Sequence, residues 1–381
     1  MPGQPPLRIL QILRAPVGGL FRNVCDLTEE LARRGHQIGI VADSLTSDAL
    51  TAERLGRLAP SAVLGTHLLP MPRTLGVGDI TTPNRVRKLG RALKIDVMHG
   101  HGAKGGLNAR FGRTRGQVSL NTPHGGVLNY KPGSLVGGFF RAVERTIGPI
   151  TDAYVFESAF AQRAFHEQIG VPPCREAVIH NGLAAVEFEP VILDADARDF
   201  VFIGEFRDVK GIGTLLDALH GLARPDGRPA SIAMAGGGPE FEKWRAEIIA
   251  RGLTGRIELL GVRPAREAMR RGNVLVVPSL AESLPYVILE GAAAGRQVIS
   301  TNVGGIAEIY GPSAGSLVPP ADVVALRRAM QAALNDPAAA AKQAELRLKY
   351  VRPRFSIPHM TDQIEALYRE ILDKRRLSST G

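Results

Sequence analysis

Cysteine is nearly absent from this chain: Cys25 and Cys174 are the two in 381 residues. They have no CxxC spacing and no histidine pattern beside them, which excludes a disulfide framework and a zinc ligand set and suits a reducing compartment. Aromatic residues make up 5% of the sequence, too few for the stacking surfaces that hold single-stranded nucleic acid. No stretch approaches the roughly 18 apolar residues of a membrane-spanning helix, and the opening "MPGQPPLRILQILRAPVGG" lacks a basic segment followed by an apolar one. The expectation is a soluble, cytoplasmic, non-exported protein. Acid is short relative to base: the formal charge is +10, of which +7 falls before residue 190 and +3 after it. That excess attracts polyanions or anionic lipid without choosing between them.

What the chain does have is apolar material. At 44% hydrophobic and this length it can bury a large core distributed over two or three domains. "LRILQIL" (7–13) reads as a strand, "GGLFRNVCDLTEELARRG" (18–35) as a helix with apolar positions at helical spacing, and "HQIGIVAD" (36–43) as the next strand. "IDVMHGHG" (95–102), "VSLNTPHGG" (118–126) and "DAYVFES" (152–158) repeat a strand that ends in a polar or glycine-rich loop. The stretch 180–199 is poorly periodic and acidic, with Pro190, and reads as a linker. Beyond it "DFVFIGEF" (199–206), "ASIAMAGGG" (230–238), "RIELLGV" (256–262), "NVLVVPS" (273–279) and "RQVISTNVGG" (296–305) are five further strands. Strands alternating with helices form parallel sheets, and such sheets bind ligands beyond the carboxyl ends of their strands. The expected fold is α/β with two domains, 1–185 and 186–355. An amphipathic helix over 356–377 is expected to return to the first.

The segment "AESLPYVILEGAAAGRQVIS" (281–300) carries two carboxylates, Glu282 and Glu290, among apolar and small residues. Ser283 suits a helix N-cap and Pro285 a first helical turn. A helix throughout would separate the two Cα atoms by roughly 12 Å, about the length of a sugar diphosphate. Its N-terminal amides would suit phosphate. A capping carboxylate and a solvated helix charge explain the same pair. Upstream, "GEFRDVKG" (204–211) places Arg207 and Lys210 after a strand, where cations clamp a diphosphate. "AGGGPE" (235–240) places Gly237 and Gly238 where backbone can approach a ligand closely.

Between residues 85 and 115 nine basic residues face one acid, Asp96. A helix with Val86, Leu89 and Leu93 on its apolar side could rest on an anionic membrane beside a lipid-linked acceptor. A solvated helix face accounts for it equally. The single Asp-x-Asp, at 194–196, sits in the linker as solvated loop charge rather than a metal clamp.

"ESLPYVILE" resembles the E-x7-E motif of the family 4 retaining glycosyltransferases of GT-B fold. Its order relative to "GEFRDVKG", "AGGGPE", "LLGV" and "NVGGIAEI" is similar to theirs. "APVGGLFRNVCDL", "IDVMHGHGAKGG", "NTPHGG" and "IHNGL" resemble the family's N-terminal motifs, so the likeness spans nearly the whole chain. The resemblance implies two Rossmann-like domains whose parallel sheets face an interdomain cleft. It implies hexosyl transfer from a UDP- or GDP-linked sugar to a sugar or lipid-linked acceptor, with retained anomeric configuration and without a metal cofactor. By the same resemblance the donor contacts are Gly19, Arg207, Lys210, Gly237, Gly238, Glu282, Ser283, Leu284 and Glu290, with Glu282, His101 and Lys210 as the catalytic set. Two positions depart from the family pattern. Glu205 stands where many relatives carry arginine, and Leu284-Pro285 stands for Phe-Gly, removing a backbone N–H. A nucleotide-sugar epimerase or another GT-B enzyme acting without an acceptor is the competing expectation.

Overall fold

The computed structural model describes residues 4–45, 49–73, 76–125 and 135–380. Its contacts divide the chain into two units, residues 1–182 with 357–381, and residues 183–356.

The first unit is built on β1 (Arg8–Leu13), β2 (Gln37–Asp43), β3 (Thr66–Leu69), β4 (Val97–His101), β5 (Val118–Thr122), β6 (Ala153–Phe156) and β7 (Arg175–Val178). These pair in parallel in the order β3-β2-β1-β4-β5-β6-β7. The helices are α1 (Gly18–Arg33), α2 (Ala49–Arg57), α3 (Gly78–Ala92), α4 (Gly102–Gly112), α5 (Leu135–Ile147) and α6 (Ala159–Gln168). The inner strands are buried on both faces, which is why they read as continuous apolar runs.

The second unit contains β8 (Arg198–Ile203), β9 (Ile232–Ala235), β10 (Ile257–Gly261), β11 (Gly272–Val277) and β12 (Gln297–Ser300), parallel in the order β10-β9-β8-β11-β12. Around them lie α7 (Ile212–Leu219), α8 (Phe241–Ala250), α9 (Ala265–Met269), α10 (Tyr286–Ala293), α11 (Ile306–Tyr310), α12 (Val323–Asn335) and α13 (Pro337–Val351).

The last helix, α14 (Ile357–Thr380), belongs to the first unit. Met360, Ile364, Leu367, Tyr368, Ile371 and Leu372 recur at helical spacing and pack with Leu7, Ile9, Leu27 and Val97 in one core cluster. Arg34 in turn holds Asp362 at 2.7 Å and Glu365 at 3.3 Å.

Several expectations need correction. The 180–199 stretch is not free linker: Asp194 accepts from Arg270 at 2.7 Å, and Asp196 from Arg271 at 2.6 Å. These arginines hold both carboxyls below the usual aspartate range. The second glycine of "NTPHGG", Gly126, lies outside the described residues. In 85–115, Val86 is buried and Leu89 and Leu93 pack against its cluster, so that apolar side is spent inside the protein. Three of the nine cations also turn inward. Lys104 pairs with Asp79 at 2.6 Å, Arg110 with Glu144 at 2.5 Å and Arg113 with Asp152 at 2.5 Å. Arg85, Lys88, Arg91, Lys94 and Arg115 are among those that remain exposed.

Candidate functional site

In the second unit β8 leads to β9 on one side while β11 leads to β12 on the other, so chain order reverses between the neighbours β8 and β11. Loops that diverge from such a pair leave a crevice at the strands' carboxyl ends. The β8 loop passes through a single turn, Asp208–Lys210, and reverses at Gly211 with φ +70°. A Cβ at Gly211 would stand 1.9 Å from the Pro278 carbonyl oxygen, so glycine alone lets this loop touch the β11 loop. Leu280 N–H then donates to the Val209 carbonyl at 2.8 Å.

This closure brings together residues 72 positions apart: Lys210 Nζ donates to Glu282 Oε1 at 2.6 Å. Ser279 Oγ donates to the same oxygen at 2.7 Å. The side chains of Lys210 and Glu282 are 24% and 10% exposed, so the pair is largely shielded yet reachable. Arg207 lies further out, 3.5 Å from Glu205 Oε2, with both side chains about half exposed. Glu205 therefore offsets the charge Arg207 offers.

The β9 loop comes equally close. A Cβ on Gly236 would sit 1.8 Å from the Gly204 carbonyl oxygen, and one on Gly238 would sit 2.7 Å from Glu205 Cγ. Gly237 is fixed through its carbonyl, which accepts from Phe206 N–H at 2.6 Å.

The region around the two carboxylates differs from a continuous helix. Pro285 is extended (φ −74°, ψ 121°) and α10 starts at Tyr286. Ser283 is thus not the N-cap, and the 12 Å helical spacing does not apply between Glu282 and Glu290. The cause is local: a residue before proline avoids the helical region. Leu284 is buried in the core beside Ile288 and Leu289, which leaves its main chain as its contribution to a site. Glu290 is half-buried in the second turn of α10.

Sequence reasoning missed two supports, Ser279 and the turn at 304–305. Gly305 N–H donates to the Ser283 carbonyl at 2.6 Å. A Cβ on Gly304 (φ +60°) would lie 2.0 Å from the Glu282 carbonyl oxygen. "NVGG" after a strand was the available signal.

In the first unit the reversal falls between β1 and β4. The glycines of "HGHGAKGG" let α4 lie directly on the sheet. A Cβ on Gly105 would stand 2.2 Å from the Ile12 carbonyl oxygen, and one on Gly106 2.3 Å from Asn121 Oδ1. Gly19 is exposed in the first turn of α1. His101 ends β4, 1% exposed. Its Nε2 meets Gln11 Oε1 at 2.7 Å, and its Nδ1 meets His124 Nε2 at 3.1 Å. Both ring nitrogens are thus occupied from within. His124, after β5, is half-buried and held at φ +48°, unusual for a residue with a side chain.

His99 bonds Tyr368 Oη at 2.6 Å and Thr122 Oγ1 at 2.8 Å. Burial lowers the pKa of all three imidazoles. It takes His99 down to about 3 and, with the other two rings beside it, His101 well below the usual value.

Burial pushes the thiols of Cys25 and Cys174 up to about 12, so neither is a nucleophile at neutral pH. Among the described residues no group of three His, Cys, Asp or Glu side chains is arranged to hold a metal ion, and no helix is long and apolar enough to cross a membrane.

Two open parallel sheets, each a Rossmann-like unit with polar loops at its point of reversal, define the GT-B class of α/β proteins. The family model described as "Glycosyl transferase 4-like domain" matches residues 18–182, and "Glycosyl transferases group 1" matches 197–336. The chain belongs to the family 4-like GT-B glycosyltransferases and is an enzyme of that kind. It is 26% identical to the glycogen synthase of Mycobacterium tuberculosis over 86% of this chain and 85% of that protein. Its fold is similar to a glycosyltransferase from Rickettsia africae (TM-score 0.81, 18% identity, 96% of this chain and 99% of that one). It is also similar to Anabaena HepE solved with UDP-glucose (TM-score 0.76, 16% identity, 96% and 100%).

Proposed function

We propose that the protein transfers a hexose from a nucleoside-diphosphate sugar to an acceptor hydroxyl, with retained anomeric configuration, in polysaccharide or glycolipid assembly. The observation that carries this reading is the Lys210–Glu282–Ser279 cluster at the β8/β11 reversal. In the reaction the bond from the anomeric carbon to the phosphate oxygen breaks, and its electron pair leaves on the diphosphate. Lys210 and Arg207 take up that charge, as stabilising developing charge is usually the largest catalytic contribution. First-turn amides of α10 add donors to the phosphates. The acceptor oxygen bonds the anomeric carbon on the face the diphosphate leaves, and its proton passes to the departing phosphate oxygen. Since lysine and arginine supply the positive charge, no divalent metal takes part.

Glu282 meets hydroxyls of the transferred sugar and Glu290 the ribose diol. Gly237, Gly238, Ser283 and Leu284 contribute main chain. In the first unit His124, rather than His101, is the histidine that meets a ligand, because His101 has both nitrogens engaged.

Incubating the purified protein with UDP-, GDP- and ADP-linked sugars, with and without membrane extract, tests the reading. UDP-glucose, with which the Anabaena neighbour was solved in complex, comes first. Sugar appearing on an acceptor supports transfer. Free sugar or an epimer formed without any acceptor refutes it in favour of the acceptor-free alternative. Calorimetry with UDP, GDP and ADP in the presence of chelator tests metal independence, and binding abolished by the chelator refutes it.

A further inference from the structure

Six polar side chains of the first unit form two short runs of hydrogen bonds, Thr122–His99–Tyr368 and Gln11–His101–His124. The polarity of the second run hangs on one amide. Gln11 sits on β1 with 0% exposure and turns Oε1 to His101 Nε2 at 2.7 Å. Its Nε2 is buried without a hydrogen-bond partner among the described residues. A carbonyl oxygen only accepts, so His101 carries its proton on Nε2. Its Nδ1 is then bare and must receive from His124, whose Nε2 stands 3.1 Å away. Burial disfavours a second proton on either ring, against the opposing pull of the Glu157 carboxylate on His124.

We infer that Gln11 is a positioning residue that sets the tautomer of two histidines in series, leaving His124 Nδ1 as a bare acceptor toward the ligand of the first unit. Gln11 does so across His101, without a hydrogen bond to His124. This rests on the reading that His124 meets a ligand. It adds a selection rule: the ligand group at His124 must bring a hydrogen-bond donor, as a sugar or acceptor hydroxyl does, while a carboxylate or phosphate oxygen finds no proton there. Turning the Gln11 amide over would reverse both bonds of its run. His101 and His124 would then both carry their protons on Nδ1, and His124 would offer a donor instead.

The two polarities differ in an observable that needs no substrate. Histidine-selective ¹⁵N labelling of the full chain and long-range ¹H–¹⁵N correlation report which ring nitrogen is protonated. The expected wild-type spectrum has His101 and His124 each as one species protonated on Nε2. Protonation on Nδ1 in either ring, or a mixture, overturns the inference. Gln11→Met keeps the length and removes the acceptor, so both rings should become tautomer mixtures. A single unchanged species at His124 in that variant overturns coupling through His101. Gln11→Glu offers an acceptor in the same place and should restore Nε2 protonation. Turnover should fall about tenfold in Gln11→Met, the loss of one well-oriented hydrogen bond, with KM for the donor within twofold, and recover in Gln11→Glu. Should nucleotide sugars fail to bind at all, the functional proposal falls while the wild-type spectrum still decides this one.

Discussion

Replacing Glu282 by glutamine and Lys210 by methionine should move nucleotide affinity in opposite directions, although the two residues form one ion pair. Lys210 Nζ and Ser279 Oγ both donate to Glu282 Oε1, at 2.6 and 2.7 Å. Glutamine keeps an oxygen in place but loses the charge that holds the ammonium. At 24% and 10% exposure the pair lies between surface pairs worth under about 1 kcal/mol and buried ones costing about 3–5 kcal/mol to break. A loss of roughly 1–2 kcal/mol is expected, or a melting temperature lower by about 2–8 °C. That same release frees Lys210 for a diphosphate, so the UDP dissociation constant should tighten, by roughly fivefold if 1 kcal/mol is returned. Turnover should drop tenfold or more, since a carboxylate hydrogen bond to a hydroxyl is worth roughly 1.5–3 kcal/mol. Lys210→Met removes the proposed phosphate cation and leaves the Glu282 carboxylate without its ammonium partner. Its UDP affinity should weaken by about tenfold to a hundredfold. Calorimetry, steady-state turnover and thermal melting on both variants check this. If Glu282→Gln loses UDP affinity in step with Lys210→Met, Glu282 and the diphosphate do not compete for the ammonium. Wild-type turnover in Glu282→Gln, with a lowered melting temperature alone, reduces the carboxylate to a structural partner of Lys210.

Glu290→Gln should weaken UDP and the intact donor alike by about tenfold, and isothermal titration with each ligand checks it. Gly304→Ala should destabilise the second unit and lower turnover together, because its Cβ would stand 2.0 Å from the Glu282 carbonyl oxygen at φ +60°; melting and turnover read both. Stability should also depend on acid. His99, His101 and His124 all have folded pKa values depressed by burial, so below about pH 6.5 the unfolded chain binds more protons and the native state loses ground. The loss approaches about 1.4 kcal/mol per pH unit per imidazole and runs for His99 down to about pH 3. Urea unfolding at pH 7.5, 6 and 5 measures it, and equal midpoints would exclude neutral buried rings.

The inner strands were legible because strands buried on both faces leave unbroken apolar runs, as "LRILQIL" and "NVLVVPS" do. The edge strands β3, "THLL", and β7, "REAV", were not, since each is four residues long and partly exposed. Glu282, Lys210 and the glycine loops could be found from residue type and order. Their mutual geometry could not, because it depends on Gly211 meeting Pro278 and on Gly304 meeting Glu282, contacts between segments far apart in sequence. The histidines illustrate the same limit. "HGHG" and "TPHG" look alike as strand ends, and only the ring partners separate the occupied His101 from the half-buried His124. Arg110 read as one of nine surface cations because its partners Glu144 and Thr151 lie more than thirty residues on.

The return of α14 to the first unit carries a consequence for biosynthesis. The unit translated first is the one finished last. When the chain has emerged as far as Ser356 every residue of the second unit is present, while the first still lacks Met360, Ile364, Leu367, Ile371 and Leu372 from its core and Tyr368 from its polar chain. Until residues 357–380 leave the ribosome, an apolar face on the nascent N-terminal sheet lacks the helix that covers it. Truncation before Ile357 therefore damages the N-terminal unit, and a chain stalled there is a natural client for chaperones that recognise apolar surface.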